Sequence, residues 1–303
     1  TRAGSIGAIN DSSNKIGVNF TLSEQSNIAN ASALVGNTSG TVTFHNDGIS
    51  NALSGFVDSS ASSGLSSGWT AIKNEDGAVN ITVTGFTNPV EATEITQFNT
   101  AAAETTGTIT ASISGIGTRL ANLSTTAFTG VDPLTLTITN NVSVTDFNTI
   151  DGRTNQDITL RTGIEDTFSS LHDGTNPVAG VQNAVEDDND IMIKVSDKVT
   201  ANFSRINDLE AITNFSGKIT ATLEGSASEL AHATNLNNLS DATGGGHTPD
   251  DITFNVIGDA SLTDLVTIAG RTSRTDITVS GNVTGTVENF ITALAADEAN
   301  FTT

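Results

Sequence analysis

One phrase occurs twice in this chain, and any fold it adopts must give both copies the same surroundings. Residues 251–281 read DITFNVIGDASLTDLVTIAGRTSRTDITVSG. Ile252, Phe254 and Val256 alternate as in a strand, and Leu262, Leu265 and Ile268 follow at helical spacing. A Gly270, Arg271, Thr272 turn then leads to Ile277 and Val279 of another strand. Residues 133–160, PLTLTITNNVSVTDFNTIDGRTNQDITL, repeat the pattern about 118 residues upstream, through Leu134, Leu136 and Ile138, then Val144, Phe147 and Ile150, then Gly152, Arg153 and Thr154. Self-similarity at a fixed spacing is the mark of an array built from one supersecondary unit.

A shorter period runs beneath this one. Strand-like cores centre near Val42, Ile81, Ile109, Leu136, Ile158, Ile191, Ile219, Phe254 and Ile277, about 29 residues apart, and helically spaced apolar residues follow each. The segment from Gly107 matches that from Gly217 about 110 residues on. One such unit cannot bury its apolar face alone, whereas stacked units share a core. Strands joined by crossovers this long pair in parallel. The expectation is therefore a right-handed parallel β-solenoid of about ten coils, each a strand plus a short helical turn or loop, with handedness set by the chirality of parallel crossovers. Residues 1–303 would form one continuous solenoid, with four-coil units at 41–156 and 157–274 and partial units at 1–40 and 275–303. Ile, Val and Leu would point inward and Thr outward.

Composition narrows function. Twelve Lys+Arg against 34 Asp+Glu give a formal net charge of −22, which repels nucleic acid and favours solubility. There is no cysteine, hence no disulfide framework, thiolate metal site or cysteine nucleophile. No run of about 18 apolar residues is present, so no insertion into a membrane is expected.

Few residues suggest chemistry. Gly64, Ser66 and Gly68 fit the spacing of a nucleophile elbow, but within a Ser/Gly-rich run that reads as a flexible loop. His45, His172, His232 and His247 show no metal-type pairing. Two acidic runs occupy equivalent places, Glu75 with Asp76, and Glu186, Asp187, Asp188 with Asp190. Hard cations take six to eight oxygen ligands, so the second run is the candidate calcium site; otherwise no cofactor is expected. Trp69 is the sole tryptophan and tyrosine is absent, which leaves a sugar-cleaving groove poorly supplied. No catalytic residues are expected.

The copy from Val144 through Asp146, Phe147, Ile150 and Gly152 to Thr154 resembles a phrase, A-x-D-L-N-T-I-D-G-K-T, of long repeat arrays in giant cell-surface proteins of marine cyanobacteria. The stretches from Ser261 to Thr272 and from Ser226 are similar. Arg153 and Arg271 stand where those arrays often carry Lys, and the first 60 residues match poorly. The resemblance implies an extracellular, non-catalytic, structural role. Neither end of the chain shows an evident polar cap, and residues 4–11 look like the tail missing after Thr303. The expected function is thus a structural protein that joins copies of itself head to tail into a surface fibre or layer. The alternative is an adhesin binding a cell surface or glycan, with surface polysaccharide as its partner. An ice-binding protein, suggested by the Thr-rich strands, and a polysaccharide-active enzyme rank below both.

Overall fold

The computed structural model describes residues 15, 17–60, 64–128, 130–200, 203–232, 250–269 and 276–289. The Gly270, Arg271, Thr272 turn, the 4–11 tail and His247 lie outside them. The chain forms two compact units, Thr1–Thr139 with Asn148–Thr159, and Asn140–Phe147 with Leu160–Thr303.

In chain order the first elements are β1 (Phe20–Thr21), α1 (Ile28–Asn37), β2 (Val42–Thr43), β3 (Ile49–Ala52), α2 (Leu53–Phe56) and α3 (Ser67–Glu75). Next come β4 (Ile81–Thr84), α4 (Ala92–Ala102), β5 (Ile109–Gly115), α5 (Gly117–Leu120), β6 (Leu134–Ile138), α6 (Val144–Asp151) and β7 (Thr159–Leu160). The rest are β8 (Gly163–Asp166), α7 (Phe168–Leu171), α8 (Ala179–Asp187), β9 (Met192–Val199), α9 (Ile206–Glu210), β10 (Lys218–Gly225) and α10 (Ala227–His232), then β11 (Asp251–Val256), β12 (Ala260–Ser261), α11 (Leu262–Ala269), β13 (Asp276–Val279) and β14 (Val283–Thr284).

The expected β-solenoid does not form. The chain is an α/β fold of parallel sheets in which strands and helices alternate, Rossmann-like in that alternation and without a solenoid repeat. Two findings correct the expectation. The strands do not make one ladder of about ten but two separate five-stranded sheets, ordered β3-β4-β5-β6-β7 and β8-β9-β10-β11-β13, beside two-stranded pairs β1-β2 and β12-β14. The segments between strands are helices in their own right, eleven residues long in α4 and ten in α1, rather than corner turns. The physical reason is the length of their apolar stripe. Ile95, Phe98 and Ala102 span two turns of α4 and are all buried, enough to make it a packed layer. Strand order follows the sequence within each sheet, so neither holds the reversal of order at which Rossmann-type folds open a ligand crevice.

Each strand divides its side chains as its alternation dictates. In β5, Ile109, Ala111 and Ile113 are buried while Thr110 and Ser112 are exposed, and β10 and β11 alternate likewise. The repeated phrase is a strand followed by a capped helix. Ser143, Ser226 and Ser261 each accept the backbone N–H three residues on, from Asp146, Glu229 and Asp264, at 3.1–3.2 Å. That satisfies a first-turn donor the helix leaves open. After the helix comes a threonine clamp. Thr154 Oγ1 donates to the Leu134 carbonyl at 2.6 Å and accepts the Gln156 N–H at 3.1 Å. Thr38 clamps Val18 and Gly40, and Thr105 clamps Val79 and Gly107, in the same way. Gly107 and Gly217, matched in sequence, precede β5 and β10 where a Cβ would stand only 2.4 Å from the Ala78 and 1.7 Å from the Ile191 carbonyl oxygens, so no larger residue fits.

Candidate functional site

Several acidic residues serve as strand caps or line a cleft. The first N–H groups of several strands meet a carboxylate from a later segment. Glu75 accepts Val42 N–H at 2.7 Å, Asp132 accepts Ile109 N–H at 2.8 Å, Asp188 accepts Leu160 N–H at 2.9 Å and Asp250 accepts Ile219 N–H at 2.6 Å. Asp132 and Asp250 are buried, and these bonds satisfy backbone donors that water cannot reach. Of the two acidic runs singled out in the sequence, each therefore supplies one such cap, Glu75 and Asp188.

In the second unit a cleft of about 1470 Å³ is walled by Asp173, Glu186, Asp187, Asp188 and Asp208. Three of the four candidate calcium ligands, Glu186, Asp187 and Asp188, thus share one wall, at the end of α8, and Asp190 is exposed beyond them. Burial, and then the neighbouring Asp190, push the Asp188 carboxyl above the ordinary range, against the pull of the Leu160 N–H. Among the described residues no three acidic or histidine side chains stand together as a metal ion needs.

The remaining sequence candidates are accounted for by local bonds. Ser66 caps α3, accepting Trp69 N–H at 3.1 Å and donating to the Gly55 carbonyl at 2.6 Å, so its hydroxyl is committed. His232 lies 2.8 Å from the Ser228 carbonyl. His45 accepts Asp47 N–H at 3.2 Å. His172 is buried, stacked on Phe168 beside a second cleft of about 390 Å³. Its Nδ1 accepts Gly174 N–H at 3.0 Å, which leaves the proton on Nε2, facing Asp208 at 3.0 Å. An imidazole with both nitrogens engaged fastens the 172–177 turn and has no free lone pair for proton abstraction.

Sequence reasoning missed two polar chains in the second unit, both running across the strands of its sheet. Lys194 on β9 stands opposite Glu165 on β8 and reaches it at 2.7 Å, and Asn141 donates to the other oxygen of Glu165 at 2.6 Å. The Lys194 bond, then the Asn141 bond, hold the Glu165 carboxyl below its ordinary range. Lys198, Glu224 and Asn255 form the second chain, on β9, β10 and β11. The opposite charges were visible in the sequence; which strand positions face each other was not.

The last feature is the edge of a sheet. Among the described strands β13 ends its sheet, and β14 lies outside β12. Ala260 on β12 is 2% exposed, whereas Val283, its partner in register on β14, is 38% exposed and Val287 beyond it 77%. At the other end of the described chain, β1 pairs only with β2, and Val18 beside it is exposed.

Compared with known protein families, with curated proteins and with solved structures, the chain matches none.

Proposed function

We propose that this chain is a structural, non-enzymatic extracellular protein that assembles with copies of itself, end to end, into a surface fibre or layer. The observation that carries the reading is the edge at β13 and β14, where no further strand pairs among the described residues and Val283 and Val287 are exposed. Unpaired edges are templates for another strand, and exposed valines add apolar area that gains about 25 cal/mol per Å² when covered. An edge that meets a different surface of the next copy makes a heterologous contact, which propagates as a filament where the rotation does not close into a ring. The acidic composition suits a salt-rich medium, and the resemblance to cyanobacterial surface arrays supports the extracellular setting.

Light scattering and negative-stain images of the purified chain test it. Wild type should grow into elongated particles with concentration. Replacing both edge valines, Val283→Glu with Val287→Glu, should leave monomers, while Val131→Glu, at an exposed site in the other unit, should assemble normally. A wild type that stays monodisperse and monomeric, without fibres at any concentration, would sink the reading.

A further inference from the structure

We propose that the smaller cleft of the second unit binds a carboxylate-bearing sugar, a hexuronate unit of a polysaccharide. The cleft measures about 390 Å³, and Phe168, Asp173, Asp197, Lys198 and Arg205 are among its lining residues. That size falls within the range of about 300–1,000 Å³ usual for ligand pockets. The lining residues belong to one unit of one copy, so the site does not depend on end-to-end assembly. They come from separate segments: α7, the turn after it, the end of β9 and the start of α9. Strand β9 is irregular where it reaches the cleft. Lys194 lies opposite Thr220 and Lys198 opposite Thr222, so β9 takes four steps where β10 takes two. A bulge of this kind re-aims side chains. Here Asp197 reaches α7, where its Oδ1 accepts Phe168 N–H at 2.6 Å.

The bonding capacity left open in the cleft points to the ligand. Arg205 is half-buried, and among the described residues it donates no hydrogen bond and joins no ion pair. Lys198, by contrast, is committed to Glu224. A guanidinium presents parallel N–H groups that match the two oxygens of a carboxylate. Asp197 and Asp173 use only Oδ1 on backbone N–H groups, that of Phe168 and those of Thr175 and Asn176. Their Oδ2 atoms are left to accept from sugar hydroxyls. The half-buried ring of Phe168 offers an apolar surface to the C–H face of a sugar ring. A hexuronate carries all three complements at once. An anion without hydroxyls would meet Asp173 and Asp197 with nothing to donate to them, and a neutral sugar would leave the charge of Arg205 without a counterpart.

The first unit provides an internal comparison. There α2 is followed by an antiparallel bridge from Val57 to Leu65, as α7 is by one from His172 to Pro177. Val57 N–H bonds the Leu53 carbonyl just as His172 N–H bonds that of Phe168. Leu53 and Val57 thus hold the places of Phe168 and His172, and both are buried. Strand β4 pairs with β5 residue for residue, without a bulge. The same backbone turn carries apolar side chains in the first unit, and an aromatic ring beside polar groups in the second.

Titration calorimetry with tetragalacturonate, and with maltotetraose as a neutral oligomer of equal length, decides the matter. EDTA is kept in the buffer so that no calcium bridges the acidic protein to the acidic sugar. Wild type should bind the uronate saturably and the neutral oligomer at least tenfold more weakly. Arg205→Gln should weaken uronate binding tenfold or more, with folding checked by circular dichroism. Phe168→Leu, the residue of the first unit, should weaken both sugars. Arg161→Gln removes an exposed cation of the same unit outside the cleft and should bind as wild type does. Should Arg205→Gln fail to fold, Asp197→Asn, which keeps an acceptor for Phe168 N–H, carries the comparison with a several-fold loss. No saturable binding of the uronate by wild type overturns the proposal. So does equal affinity for the neutral oligomer, uronate binding unchanged in folded Arg205→Gln, or an equal loss in Arg161→Gln.

Discussion

Asp132 is 4% exposed and spends its carboxylate on one backbone N–H, that of Ile109 at the start of β5. A charged side chain is buried here to serve the main chain of a strand 23 residues upstream. The logic is that of any buried donor: an N–H left without an acceptor carries its full desolvation penalty. Asp132→Ala should therefore destabilise the first unit by about 1–3 kcal/mol, while Asp132→Asn, which keeps an acceptor oxygen, should recover most of the loss. Urea unfolding followed by Trp69 fluorescence reads both, since the tryptophan is buried in that unit. The same role explains why an acidic run need not be a cation site. Asp188 looks like a calcium ligand in sequence because Glu186, Asp187 and Asp190 surround it, yet its carboxylate faces the Leu160 N–H.

At the scale of elements, strands such as β5 are legible because alternation is a local signal, whereas β3 and β8, which carry no such alternation, are not among the expected strand centres. Ile109, Ala111 and Ile113 against Thr110 and Ser112 need no tertiary information. The helices are longer than the apolar spacing alone predicts. Ile95 and Phe98 were visible as a helical pair, but Ala101 and Ala102, which complete the buried face of α4, are too small to register as core in a sequence rich in alanine. The break of the ladder into two sheets and the Asn141, Glu165, Lys194 chain were not legible, because both depend on which residues of distant segments fall opposite each other. The Gly152, Arg153, Thr154 turn shows the middle case. Its recurrence marked it as a corner, but the clamp lies in the hydroxyl of Thr154, buried between the Leu134 carbonyl and the Gln156 N–H. Thr154→Val keeps the shape and removes the hydroxyl's bonds to the Leu134 and Asp132 carbonyls and to the Gln156 N–H, at a cost of about 1–3 kcal/mol. Amide exchange should then quicken at β6 and at Gln156, while β8 to β11 keep their protection; uniform quickening in both sheets would show that the clamp is not local.

For the whole molecule, charge and edge oppose each other. A formal net charge of −22 on 303 residues repels a second copy, whereas the edge at β13 and β14 attracts one through strand backbone and two exposed valines. The attraction acts at contact and hardly depends on salt, while the repulsion reaches as far as the Debye length, about 30 Å at 0.01 M and about 8 Å at 0.15 M ionic strength. The proposed end-to-end assembly should therefore be weak in dilute buffer and strengthen as salt is added, steeply at first and then levelling off once the Debye length falls to the width of a contact. Sedimentation velocity across a salt series measures this directly. The Val283→Glu, Val287→Glu variant separates the two terms, since it abolishes the apolar contact at the edge itself and should sediment as a monomer at every salt concentration. Assembly of wild type that weakens with salt would mean that ion pairs hold the copies together, and the edge valines would then have to be given up as the joining surface.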